Sequence, residues 1–310
     1  MHVADGLQSW RTMNLPRWSL CRVAGAVVWL LSHTAAAMAP LPSGDAVIRT
    51  PAGDSEIVIT TTSRLAGAIH SVVWNGREFI DSTDHGRQLQ SALNADAGTE
   101  IRAETYNPTE AGSRDDGAGL RSTSRLLHCV VGSDRLQTTT QMAFWLSPGQ
   151  TSGGHPAKNT TRLSDHLLTK RVVIGYRQYP QVLQYEVTFS IPVHERHQQV
   201  VFEALTGYMP ADFNQFWRFD GSTRALVPLS DGPGEQADPV VLATEDGQFA
   251  MGIVAQPSKI ANLNGPTYGR FRFDRERVVK WNCVFRYQRE DGIHPGDYAF
   301  SMLVPLGARA

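Results

Sequence analysis

The chain has 310 residues and a formal net charge of −1. A nearly neutral chain has no global field to attract nucleic acid, an anionic membrane or a polyanion, so an anionic substrate would need a local basic cluster. Three Cys without a CxxC or a Cys/His zinc spacing exclude the zinc-finger and CxxC redox classes.

Arg17 and Arg22 flank the start of an apolar run, Val23 to Leu31, which is followed by the small residues Ala35 to Ala39. That order predicts a secretory signal peptide over 1–39, cleaved near Ala37 or Ala39, with Met13 as an alternative start. An uncleaved anchor is the competing reading. The run is short for a bilayer span, and nothing later approaches about twenty apolar residues, so no membrane span is expected after cleavage. The expected location is secreted or periplasmic. Residues 40–54 are Pro-, Gly- and small-polar-rich and are expected to form a flexible linker, with 55–310 as one β-sandwich domain.

The first strand signal is Ile57 to Thr61. Ala68 to Trp74, then Asn75-Gly76, then Arg77 to Ile80 predicts a two-residue hairpin with both turn residues at positive φ. Further β-rich runs follow at Leu120–Val131, Leu136–Leu146, Leu167–Gly175, Val182–Val193, Val200–Tyr208, Val240–Thr244, Phe249–Ala255, Tyr268–Phe273, Val278–Gln288 and Tyr298–Leu306. The run from Val200 alternates less cleanly than the others. No stretch has sustained helical periodicity. With 27 Gly and 17 Pro in the chain, the pattern predicts an all-β fold, a large two-layer antiparallel sandwich with few or no helices. The stretches Ala92–Gly119, Gln150–Asp165 and Ala211–Asp238 are long for hairpin loops, and loops that long are usually functional or disordered. Cys129 and Cys283 lie in strand-like runs and form either one disulfide or two buried thiols.

Three polar clusters could carry chemistry. In Asp84 to Gln90, His85 and Arg87 are candidate catalytic residues, and Gln88 and Gln90 share a face if the segment is extended. Arg87 either holds a substrate carboxylate or pairs with Asp84. Tyr106-Asn107-Pro108-Thr109-Glu110 is a rigid loop, with Glu110 as preferred carboxylate, Tyr106 as acid or stacking platform, and Asn107 as a binding residue. Around Gly153-Gly154-His155-Pro156, His155 is a candidate proton carrier, with Asn159, Asp165 and His166 as possible substrate contacts. The first two clusters also read as loops satisfying their own backbone. His194 and His197 flank Glu195-Arg196 in a charged turn and are read as exposed. With no HxH, no HExxH and no two His on one strand face at close spacing, no metal is expected and no cofactor. Trp217 and Trp281 either stack on sugar faces or belong to the core, and Lys280 and Trp281 face opposite ways if their strand is regular.

The strand-rich body, the hairpin followed by Asp84 to Gln90, and the run Pro239 to Thr244 leading into Phe249 to Val254 together resemble loosely the galactose mutarotase-like group. That resemblance implies an antiparallel supersandwich and a carbohydrate substrate. The usual mutarotase pairing of two His with a late Glu does not map onto this chain residue by residue. The expected function is a secreted carbohydrate-active enzyme acting on an oligo- or polysaccharide. The residues lean slightly to a polysaccharide lyase: Arg87 with Gln88 or Asn107 neutralising a uronate carboxylate, His85 or His155 as base, and Tyr106 as acid. A glycoside hydrolase using Glu110 and Asp165, a mutarotase or epimerase, and a non-catalytic glycan-binding envelope protein are the alternatives. No nucleic-acid partner is expected.

Overall fold

The computed structural model describes residues 42–309, so the signal peptide expected over 1–39 lies outside the described residues. Every strand pairing in the two main series is antiparallel, and no α-helix occurs among the described residues. Helical structure there amounts to two single 3₁₀ turns, Ser63–Leu65 and Arg114–Asp116. The all-β architecture expected from period-two patterning is therefore what the chain adopts. No helix among the described residues is long and apolar enough to cross a membrane.

Two series of strands build the sandwich. The first runs from Ala46–Ala52 through Ser55–Thr61 to Ile69–Trp74. It continues through Leu89–Ala95, His197–Pro210 and Val278–Ile293 to Asn264–Phe273. The second runs from Arg125–Val131 through Arg135–Phe144, Leu163–Tyr176 and Tyr179–Ile191 to Gly296–Gly307. It then passes to Ala250–Gly252, Val240–Ala243 and Gln215–Asp220. Aromatic residues from the two series meet in the core. Phe202 lies 5.2 Å from Phe189 between ring centroids, and Phe285 stacks 4.6 Å from Phe300. Such pairs contribute about 0.5–1.5 kcal/mol each beyond the area they bury. The two-residue strand Pro108–Thr109 pairs with Ala92 on one side and with Ala143 and Phe144 on the other, tying the two series together.

The hairpin at Asn75-Gly76 forms as its dipeptide requires, with φ of 51° and 72°. Other boundaries differ from the sequence expectation. Residues 40–54 are not a free linker throughout: Ala46–Ala52 is a strand, because Ile48 is buried in the core and the turn at Gly53 folds it onto Ser55–Thr61. The stretch from Ala92 is not loop at its start, since the strand Leu89–Ala95 runs into it with Leu93 and Ala95 in the core. Ala211–Asp238 contains three short strands, Gln215–Asp220, Ala225–Pro228 and Gly234–Gln236. Cys129 and Cys283 are both free thiols, the latter fully buried.

One packing contact on the central strands is sharply constrained. Gly207 lies opposite Trp281, whose indole is fully buried, and a Cβ on Gly207 would sit 2.4 Å from the indole carbons. The strand tolerates no side chain there without moving the ring. Gly207→Ala is expected to destabilise the fold by about 1–3 kcal/mol or more through overpacking, read as a lower urea midpoint at unchanged m-value. An unchanged midpoint would show that the indole has room to move.

Candidate functional site

Three adjacent strands of the first series carry a coherent polar cluster. Gln90, Ala92 and Asn94 come from Leu89–Ala95, and Glu203, Thr206 and Tyr208 from His197–Pro210. Lys280 comes from Val278–Ile293. With Gly86, Glu104, Asn107 and Trp145 they line a cavity of about 230 Å³. Register explains the convergence. Lys280 lies opposite Tyr208, Asn282 opposite Thr206, and Thr206 opposite Gln90. Alternation sends the intervening Trp281 into the core while Lys280 faces the cavity, as the sequence predicts for a regular strand. Glu203 and Tyr208 are an odd number apart and would point to opposite faces of a regular strand. A bulge between Glu203 and Leu205 restores them to one face.

The electrostatics of this cluster are well defined. Lys280 Nζ donates to Glu203 Oε2 at 3.2 Å, and Thr206 Oγ1 donates to the same oxygen at 2.9 Å. Burial works to raise the Glu203 carboxyl, but Lys280, Thr206 and Asn282 outweigh it and hold it below the ordinary glutamate value. Burial likewise works against the Lys280 charge, yet Glu203 and Tyr208 push its ammonium above the ordinary lysine value. Burial raises the Tyr208 phenol, and Lys280 lies 5.2 Å from the centre of its ring. The cavity thus presents a carboxylate, a bound ammonium and a neutral phenol, next to amides that both donate and accept. Trp145 lies against Gly86, where a Cβ would be 2.8 Å from the indole, so the missing side chain lets the ring pack on the backbone.

Of the residues singled out from sequence, Gln90 and Asn107 line this cavity. Gln90 Nε2 donates to the Gly86 carbonyl at 2.9 Å, leaving its buried Oε1 without a partner, and Asn107 Nδ2 donates to the Leu93 carbonyl at 2.6 Å. The others serve elsewhere. His85 is buried with Nδ1 2.7 Å from the Gly117 carbonyl and Nε2 2.8 Å from the Arg64 carbonyl, so neither nitrogen faces a substrate. Arg87 is held by Asp84 through Nε at 3.0 Å and Nη2 at 2.7 Å, which raises its pKa. Gln88 is fully buried and donates to the Asp84 carbonyl.

Glu110 is fully buried in an ion pair with Lys170, and its second oxygen accepts from Ser91 N at 3.1 Å. That makes it a structural anion, not an accessible acid. His155 is exposed on the small hairpin Thr151–Ser152/His155–Pro156. Asn159 is buried, donating to the Leu146 and Thr161 carbonyls. Asp165 is exposed, 3.5 Å from His194. Trp217 lies on the strand Gln215–Asp220, with the Arg309 guanidinium 4.5 Å above its ring.

Tyr106 and His166 belong to a second cluster with His197 and Glu195. His197 is buried, contrary to the exposed turn expected from its charged neighbours, because Asp96 accepts from the backbone N–H groups of Gln198 and Gln199 and draws the turn inward. Burial depresses His166 to about 4, keeping its imidazole neutral. Burial and the Glu195 carboxylate hold the Tyr106 phenol above the ordinary tyrosine value.

Glu203, Lys280 and Tyr208 line the cavity without being marked out by local sequence pattern. The available signal was Lys280-Trp281-Asn282, two polar residues alternating around a core Trp within an apolar strand.

No protein-family model matches the chain, and no curated protein does. Among solved structures it is similar to a putative aldose 1-epimerase from Escherichia coli K12, with TM-score 0.46 and 10% identity over 85% of this chain and 99% of that one. It is also similar to a heparan sulfate lyase from Pedobacter heparinus, with TM-score 0.43 and 9% identity over 86% of this chain and 35% of that one. An alpha-galactosidase from Lactobacillus brevis gives TM-score 0.41 and 10% identity over 88% of this chain and 41% of that one. These are loose likenesses of strand arrangement, and the loose resemblance to the galactose mutarotase-like group goes no further than them.

Proposed function

We propose that the cavity around Glu203 binds a sugar ring and moves protons on it, with Glu203 as general base and the neighbouring Tyr208–Lys280 pair as the proton source. The observation that carries this reading is the convergence of an ionised carboxylate, a neutral phenol and an ammonium on one face of three adjacent strands. Amide groups and an indole complete the lining, as a polyhydroxylated ring requires. At about 230 Å³ the cavity is smaller than the roughly 300–1,000 Å³ typical of drug-sized sites, which favours a single sugar residue.

Charge favours a neutral sugar over a uronate. Lys280 is already matched by Glu203, and Glu104 adds a second carboxylate to the lining. The lyase set of His85, Arg87 and Tyr106 does not line this cavity, so interconversion of a free sugar is the first reading. Hydrolysis is the second, favoured by the presence of both Glu104 and Glu203 in the lining as a carboxylate pair. Export of the chain is part of the same proposal and rests on residues 17–39; the N-terminal sequence of protein recovered from culture medium or periplasm tests it.

The functional test is a panel of free aldoses, neutral glycans and uronate glycans. Anomer exchange or epimerisation would be followed by NMR, and cleavage by new reducing ends and unsaturated-product absorbance. Exchange without new reducing ends is the expected result, whereas unsaturated product would transfer the assignment to a lyase. Trp145→Ala is expected to weaken binding of the responding sugar about tenfold, which is about 1.4 kcal/mol. Unchanged binding in calorimetry would remove Trp145 from the site.

A further inference from the structure

The second cluster lies outside the sugar cavity, and its geometry is that of a metal-binding set. His166 faces inward from Leu163–Tyr176, fully buried, and neither ring nitrogen has a hydrogen-bond partner. A buried polar group left unpaired costs about 1–3 kcal/mol and calls for an explanation. Glu195 Oε2 is 3.4 Å from His166 Nε2, outside hydrogen-bond alignment, and 2.9 Å from His197 Nε2. Ligand atoms of all three residues lie within 4.8 Å of one another. Around a tetrahedral ion with bonds of 2.0–2.1 Å, neighbouring ligand atoms are about 3.3 Å apart, close to the two spacings to Glu195. His197 Nδ1 is 3.2 Å from Asp96 Oδ1, which leaves Nε2 as the ligating nitrogen and supplies the outer carboxylate that orients metal-bound histidines.

We propose that His166, His197 and Glu195 bind one divalent transition ion of the Zn²⁺ class. Two imidazoles and one carboxylate suit a borderline ion, whereas Ca²⁺ and Mg²⁺ prefer sets made of oxygen. Local sequence spacing does not disclose this set, because the two histidines come from different strands, Leu163–Tyr176 and His197–Pro210. The ion would brace the sugar cavity from outside. Asp96 follows directly on Leu89–Ala95, and the segment from Asp96 to Asn107 supplies Ala103, Glu104 and Asn107 to the cavity wall. Tyr106 packs against both imidazoles, with centroids 6.2 Å and 5.5 Å away.

The test is calorimetric titration of chelator-stripped full chain with Zn²⁺, with Co²⁺ as a spectroscopic probe. One equivalent of Zn²⁺, a rise in melting temperature, and the strong visible absorbance of four-coordinate Co²⁺ are expected. Asp96→Asn should weaken Zn²⁺ about 10–100-fold, and Glu195→Gln and His166→Asn by more. His194→Ala removes an exposed imidazole and should leave affinity unchanged. If His166→Asn fails to fold, Glu195→Gln, on the turn outside the core, decides. No binding by the wild-type chain, undiminished binding by Glu195→Gln, or preference for Ca²⁺ or Mg²⁺ overturns the proposal.

Discussion

Replacing Glu203, the proposed base, with Gln is expected to lower turnover of the responding sugar about 10²–10⁴-fold with little change in KM, the usual loss when a positioned proton acceptor is removed. The amide can still accept from Thr206 and lie beside Lys280, so the shape of the site survives while the base is lost. Full turnover in Glu203→Gln would sink the assignment, and a melting curve separates lost chemistry from lost folding.

The pH profile makes the same case independently. Because the Glu203 carboxyl is held below its ordinary value of 4.5, its base form is fully present above that pH, and kcat/KM should fall only in more acidic solution. Lys280→Met removes the main charge opposing desolvation. The acid limb of the profile should then move upward in pH, since burial is the larger influence left on the carboxyl. A limb that stays in place would mean that another group is the base.

The second large effect concerns stability. Glu110 and Lys170 form a fully buried ion pair, with Lys170 Nζ also donating to the Gly67 carbonyl at 3.1 Å. Lys170→Met strands the Glu110 charge in the core and should cost about 3–5 kcal/mol, a large share of the roughly 5–15 kcal/mol that holds a domain folded. The double variant Glu110→Leu/Lys170→Met should recover most of that loss, because two apolar groups of similar volume often replace a buried pair at little cost. Urea denaturation of the four-member cycle measures both numbers. A loss under about 0.5 kcal/mol in Lys170→Met would mean that water reaches Glu110.

Lys170 also shows how far local pattern reaches. It occupies an inward position of an alternating strand, between Leu168 and Val172, so its burial was legible in the sequence. Its partner was not, because Glu110 lies 60 residues away in a loop whose own composition reads as exposed and catalytic. The same limit applies to His85 and Arg87. Their residue types suit proton transfer and carboxylate binding, but the backbone carbonyls of Arg64 and Gly117 and the carboxylate of Asp84 already occupy them.

The amino-acid sequence by itself determined the β class, the Asn75-Gly76 hairpin and most strand positions, because these follow from side-chain periodicity and turn chemistry within a few residues. It also placed Lys280 and Trp281 on opposite faces. Only the tertiary structure brought the candidate site together. Glu203 and Tyr208 share a face through a bulge that period-two alternation does not anticipate, and Lys280 meets them through strand register. His166 and His197 come together across two strands. Convergence of side chains from distant strands depends on pairing register and bulge position, which are set by packing over the whole sandwich.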